Sequence, residues 1–287
     1  MHKQVLYAIL TILLVFIGAM LVFIRLVGDT ASPVNQKIRI VTTITAYQQA
    51  AQQIVGDTGK VTLLSTDVQE WGAKDKEQLK KADIILVDHQ DDQDALIAQY
   101  RNWQLQSKII AANQIVTDND FDNLWVSPLT TKALSDKLTT TLSDIDPRNR
   151  DTYVSNDNQL NTKLSVLNTQ LATLAKKNKN LNYISIGDDW DILFSQLNAQ
   201  RVLKKVSHQS SSTLLDEAKD YIDDDKVDFV VMPNQQNNTT KQLVKLANSH
   251  KIPIITISYP KNQNEDILNW QQQNLNKIQN MINNLKK

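Results

Sequence analysis

Apolar residues fall along the chain in three patterns, and each predicts a different kind of element. From Val5 to Val27 the sequence VLYAILTILLVFIGAMLVFIRLV is apolar almost throughout, with Arg25 as its one charge. About 23 residues at about 1.5 Å each span a hydrocarbon layer of about 30 Å, so the pattern predicts a transmembrane helix, with Arg25 close enough to its end to reach the interface. The run exceeds the apolar core of about 7–15 residues found in cleavable signals, and Thr30-Ala31-Ser32 is a poor cleavage site. An uncleaved anchor over residues 1–27 is therefore expected, followed by a polar linker, Gly28–Gln36.

Beyond the linker, short apolar runs alternate with amphipathic stretches. Lys37–Ile44, Lys60–Ser65, Ala82–Asp88 and Lys108–Ala112 form one group of predicted strands. Asn182–Gly187, Val202–Val206, Asp228–Pro233 and Pro253–Ser258 form a second. Runs this short and this apolar, flanked by polar helices, are the pattern of buried parallel strands in βα units. The third pattern lies between the groups, where Leu129–Asn180 shows no strand signal and Leu160, Leu164, Leu167, Leu171 and Leu174 recur on one helical face. Asp146-Pro147 offers a helix start for that stripe. A coiled-coil dimer would use the same leucines, but the stripe is short of the several clean heptads such a dimer needs. The fold class is thus α/β: two small βα lobes, 37–128 and 181–287, joined by a long backbone helix within 129–180.

Composition narrows the function. Lys plus Arg and Asp plus Glu both number 31, so the net charge is +0 and no basic excess exists to neutralise a nucleic acid. With Cys 0, thiolate metal sites, thiol nucleophiles and disulfides are excluded. The Gly 6 spell neither a dinucleotide fingerprint nor a phosphate-binding loop, and no nucleophile elbow or HExxH is present, so an enzyme is not expected.

Several segments resemble the extracytoplasmic solute-binding proteins of zinc and manganese ABC importers. Lys37-Ile-Arg-Ile-Val-Thr-Thr43 is similar to that family's opening strand, and Leu79–Val87 (LKKADIILV) to its next helix and strand. Trp125-Val-Ser-Pro128 resembles its WLDP turn, Asp144–Tyr153 (DIDPRNRDTY) its approach to the linker helix, and Ile267–Leu285 its closing helix. The resemblance covers about residues 37–287. It implies an importer membrane subunit as partner, a location at the cell membrane with the soluble part extracytoplasmic, and zinc or manganese held by side chains from both lobes.

Carried over position by position, the family's metal ligands fall on Gln69, Asn123, Gly187 and a residue on or beside Ser258. Imidazole suits zinc and carboxylate suits manganese; amides, hydroxyls and glycine suit neither. The metal site is therefore expected to be lost or altered, and zinc or manganese is expected only if the site has been rebuilt. Residues for a rebuilt site are His89, Asp91, Glu70 and Asp188, whereas Asp91, Asp92 and Asp94 also suit the start of a helix. Trp71, Trp125 and Trp190 stand near the former ligand positions, where they either pack the lobes or floor a cleft for an organic molecule. The alternatives to metal uptake are a different small ligand or a ligand-free role in surface adhesion or scaffolding.

Overall fold

The computed structural model describes residues 12–20, 22, 37–90, 95–116, 121–177, 180–186, 190–203, 211–233, 237–260 and 264–285. Met1–Lys37 and Ile38–Lys287 are separate compact units. In the first, residues 12–20 and 22 are helical. Among the described residues no helix is long and apolar enough to cross a membrane. Most of Val5–Val27 and all of Gly28–Gln36 lie outside the described residues.

The second unit opens with strand β1 (Ile38–Thr42), helix α1 (Thr45–Val55), β2 (Gly59–Leu63), α2 (Ala73–Lys80), β3 (Ile84–Val87), α3 (Ala95–Asn102) and β4 (Lys108–Ala111). These strands form a parallel sheet in the order β2-β1-β3-β4. All four residues of β3 are buried, as a strand covered on both faces requires. After a connecting stretch come α4 (Pro128–Ile145) and α5 (Arg150–Lys177). The second lobe repeats the pattern with β5 (Leu181–Ser185), α6 (Asp191–Ser195), β6 (Ala199–Arg201), α7 (Ser211–Asp223), β7 (Phe229–Pro233), α8 (Asn238–Ser249), β8 (Ile254–Ile257) and α9 (Ile267–Leu285). Its parallel sheet has the matching order β6-β5-β7-β8.

The two lobes share a local device as well as a topology. The Asp83 carboxylate accepts the Arg39 backbone N–H at 2.8 Å, and the Asp228 carboxylate accepts the Asn182 N–H at 2.7 Å. Each aspartate thus fixes the start of a central strand to its neighbour, where the ladder would leave a donor unpaired.

The long helix expected from Asp146-Pro147 is α5, entered through a 3₁₀ turn at Pro147–Asn149; α4, which fills Pro128–Ile145 ahead of it, is an addition to the expected layout. Two expectations are corrected. Asp146 caps neither helix through its side chain; its carboxylate accepts from Asn149 Nδ2 and Tyr153 Oη, both at 2.7 Å, and so holds the turn between them. The sixth strand is Ala199–Arg201 instead of Val202–Val206, since the apolar Val202 and Leu203 follow the strand and residues 204–206 lie outside the described ones.

The leucine stripe packs as expected of a lobe-joining helix. Leu160, Leu164, Leu167, Leu171 and Leu174 are all buried in one core with residues of both lobes. Helix α5 lies against α1 and α4 on one side and α9 on the other. Helix α9 belongs to the second lobe but returns to the first, where Gln271 Nε2 donates to the Trp125 carbonyl at 3.3 Å and the Ile267 N–H donates to Gln49 Oε1 at 3.0 Å.

Candidate interlobe binding site

In a doubly wound sheet the crevice for a ligand opens beyond the carboxyl ends of strands where the connections diverge. The order β2-β1-β3 places that point between β1 and β3, and a cavity of about 600 Å³ lies there. Thr43–Ala46 line it just after β1, Thr66 after β2, and Asp88 and His89 after β3. Asp122, Asn123 and Trp125 come from the stretch before α4, and Tyr259 and Pro260 from just after β8. Both lobes therefore contribute to one cavity.

One wall is aromatic. The Trp125 ring lies 6.0 Å from Tyr259 and 5.3 Å from Trp270, and Trp190 lies 5.1 Å from Tyr259 and 6.0 Å from Trp270. Trp270 and Trp190 are buried behind, while Tyr259 is 44% exposed. Trp270 Nε1 donates to the Ser258 carbonyl at 2.7 Å, which fixes the chain leading to Tyr259. Asn123 adopts a left-handed backbone conformation, φ 53, which asparagine tolerates better than most residues, and its Oδ1 accepts from Trp125 Nε1 at 3.3 Å. That turn and bond set the orientation of the Trp125 ring.

The first lobe adds an aspartate to the lining. Asp88 is buried and accepts a short hydrogen bond from the Tyr47 hydroxyl, itself buried on α1. Burial pushes the Tyr47 phenol well above its ordinary pKa, and the negative charge of Asp88 pushes it further. Tyr47 consequently remains a donor to Asp88 at the cavity edge. The Asp88 carbonyl also accepts the Asn113 N–H at 2.8 Å, tying the end of β3 to the turn after β4.

The structure separates the sequence-predicted site residues into three groups. His89, Asn123 and Trp125 line the cavity. Gln69, Glu70, Trp71 and Ser258 are not among its lining residues: Gln69 and Glu70 are exposed on a 3₁₀ turn, Glu70 accepts from Ser65 Oγ, and Trp71 is buried in the separate cluster on the other face of the first sheet. Ser258 contributes its backbone to Trp270, and its neighbour Tyr259 takes the lining position. Gly187 and Asp188 lie outside the described residues, as do Asp91, Asp92 and Asp94. Asp88, Asp122, Tyr259 and Thr66 were not singled out from sequence, although the position of each just after a strand or before the 125–128 turn was a usable signal. Among the described residues no three His, Cys, Asp or Glu side chains are grouped to hold a metal ion. The Nε2 of His89 is sealed from solvent and has no hydrogen-bond partner.

Comparison with known proteins places this geometry. The family model for the periplasmic zinc-uptake complex component A, ZnuA, matches residues 40–281. Among solved structures, the metal-dependent lipoprotein YcdH from Bacillus subtilis is 19% identical, with a TM-score of 0.67 over 85% of this chain and 98% of that one. Zinc-bound AdcA from Streptococcus pneumoniae is 17% identical, with a TM-score of 0.66 over 86% of this chain; this chain spans only 58% of its length. The laminin-binding protein Lmb of Streptococcus agalactiae, described as bifunctional in adhesion and metal transport, is 15% identical, with a TM-score of 0.67 over 85% of this chain and 99% of that one. No curated protein sequence matches. Such low identities show a shared fold, while the family match spans most of the chain and describes receptors instead of catalysts. The chain belongs to the ZnuA family of zinc-uptake components.

Proposed function

We propose that the chain is an extracytoplasmic solute-binding receptor, tethered to the cell membrane by Val5–Val27 and serving an ABC importer, whose interlobe cleft takes a cargo other than a zinc ion held by protein side chains. The observation that carries this reading is the lining of the cavity. Where zinc needs imidazole, thiolate or carboxylate donors grouped at bonding distance, the described lining residues offer aromatic faces, threonine hydroxyls, an asparagine and two aspartates, with no three such donors grouped to hold an ion. Among the described lining residues His89 is the one imidazole, and an Nε2 that solvent cannot reach takes no ion from water without movement of the groups around it. The family's ligand positions support the same conclusion, since Gln69, Asn123 and Gly187 provide no zinc-type donor.

Tethering would hold the cleft close to its membrane partner and raise its effective concentration there. Bonds that cross between the lobes, such as Ser127 Oγ to Gln196 Oε1 at 2.7 Å, together with the long shared helix, favour small rocking over wide closure during capture. Adhesion draws support from a likeness of fold alone.

Calorimetric titration of the detergent-solubilised, metal-stripped full chain with Zn²⁺ and Mn²⁺ tests the reading. Binding weaker than about 1 μM is expected for both ions. One-to-one nanomolar binding of either would overturn it. Membrane fractionation tests the tether: the full chain should sediment with membranes and require detergent for release, whereas release by salt alone would refute an integral anchor.

A further inference from the structure

The aromatic wall also points to what the cleft takes in place of a metal, an inference that rests on the altered-cargo reading above. A cavity of about 600 Å³ has the size of an organic-ligand pocket, far beyond what a single ion fills. Two of its lining residues are rings from different lobes, Trp125 and Tyr259, whose planes are inclined by only 32° and so form one slanted surface. Trp270 backs the Trp125 ring and Trp190 backs the Tyr259 ring, and both backing residues are buried. The wall is held in place before any ligand arrives. Trp125 Nε1 donates to Asn123 and Trp270 Nε1 to the Ser258 carbonyl, so the indole N–H groups are engaged within the protein, and a ligand meets the wall through its ring faces. A fixed surface of this kind costs little ordering on binding.

Much of the polar lining is engaged within the protein. Asp88 accepts from the buried Tyr47 hydroxyl, Asn123 accepts from Trp125, Asp122 has a partner as well, and the Nε2 of His89 is sealed from solvent. We propose that the cleft binds a small aromatic molecule stacked by its ring on the Trp125–Tyr259 surface, with further apolar contact from Ile44, Ala46 and Pro260 in the same lining. A sugar of the same size would bring several hydroxyls to groups already partnered and leave them short of hydrogen bonds. An aliphatic ring would bury a similar area but forgo the attraction between aromatic rings. Because one ring of the wall comes from each lobe, the stacked molecule bridges the lobes and links its capture to their rocking.

The test uses the detergent-solubilised full chain, titrated calorimetrically with indole, nicotinamide and adenosine against a blank of protein-free micelles, with cyclohexanol, glucose and Zn²⁺ in parallel. At least one aromatic is expected to bind with Kd below about 1 mM, with cyclohexanol and glucose about tenfold weaker or worse, and to change the near-ultraviolet circular dichroism of the tryptophans. Tyr259→Leu should weaken that binding about tenfold, whereas Tyr259→Phe, which keeps the ring, should leave it within about twofold. Tyr259 is 44% exposed, so both replacements spare the core, and far-ultraviolet circular dichroism confirms that each variant is folded. Failure of all three aromatics, equal binding of cyclohexanol or glucose, indifference to Tyr259→Leu, or an equal loss in Tyr259→Phe each overturns the proposal. Any of these beside weak Zn²⁺ binding leaves the altered-cargo reading standing, whereas nanomolar Zn²⁺ binding overturns both together.

Discussion

Replacing Leu164 tests whether the leucine stripe is the spine of the monomer. Leu164 lies in the middle of α5 and is 0% exposed, so Leu164→Ala removes three carbons from full burial. At about 0.8 kcal/mol per buried carbon the transfer loss is about 2.4 kcal/mol, and the cavity left in a core that cannot fully collapse raises the total to about 3–4 kcal/mol. For a unit of this size each kcal/mol is worth about 2–4 °C, so the melting temperature should fall by about 6–16 °C. Val166, on the same helix, is 62% exposed, and Val166→Ala should change stability by no more than about 0.5 kcal/mol. Thermal unfolding followed by circular dichroism across a tenfold range of protein concentration reads both. A fall of less than about 1 kcal/mol for Leu164→Ala, or a melting temperature that rises with concentration, would refute the reasoning and favour a stripe that closes against a second chain.

Three further perturbations follow from the same packing. Arg201 Nη1 lies 2.8 Å from Asp191 Oδ2, and Asp191 also accepts from Tyr183, whose phenol burial pushes far above its ordinary pKa; Arg201→Met should cost about 3 kcal/mol in chemical denaturation by stranding the Asp191 charge, and a neutral result would refute the pairing. Ser127 accepts the N–H groups of Leu129 and Thr130 at the start of α4 while donating to Gln196 in the other lobe, so Ser127→Ala should cost about 1–2 kcal/mol, measured by urea unfolding, with no loss refuting the cap. Burial raises the pKa of Asp157 on α5, mainly by desolvation, so the fold prefers its protonated form: that contribution is full below the ordinary value of 3.8 and is lost as pH rises through the raised one. Asp157→Asn should therefore stabilise the protein at neutral pH and make little difference below pH 3.8, and destabilisation at neutral pH would reverse the sign of this argument.

Much of the architecture was legible because parallel strands leave a strong mark. The runs IRIVT, IILV and FVVMP are short and mostly apolar, and each is a strand within a residue or two of the predicted bounds. The short edge strand Ala199–Arg201 left no such mark, since an edge position pairs on one side and tolerates Gln200 and Arg201. The break between α4 and α5 was written in Pro147, but the leucine periodicity drew attention to the helix that follows it. The paired devices at Asp83 and Asp228 were visible as KADIILV and KVDFVVM, an internal repeat that each lobe uses at the same strand.

The site was legible only in part. His89, Asn123 and Trp125 stand beside strand ends or the turn before α4, where topology alone brings them to the crevice. Gln69 and Trp71 were placed by resemblance, but a 3₁₀ turn capped by Asp67 exposes the first and buries the second under the sheet. The roles of Tyr259 and Trp270 leave no mark in the local sequence, because the aromatic wall depends on residues from α9 and the end of β8 meeting Trp125 across the lobes.

The cleft is proposed to hold a cargo other than a zinc ion bound by protein side chains. Native mass spectrometry of the full chain, released gently from the membranes of the cells that make it, tests this most directly. The expected result is no zinc increment on the chain, or an adduct of another mass that Tyr259→Leu removes. A mass increment of a single zinc ion, retained after extensive dialysis, would contradict it.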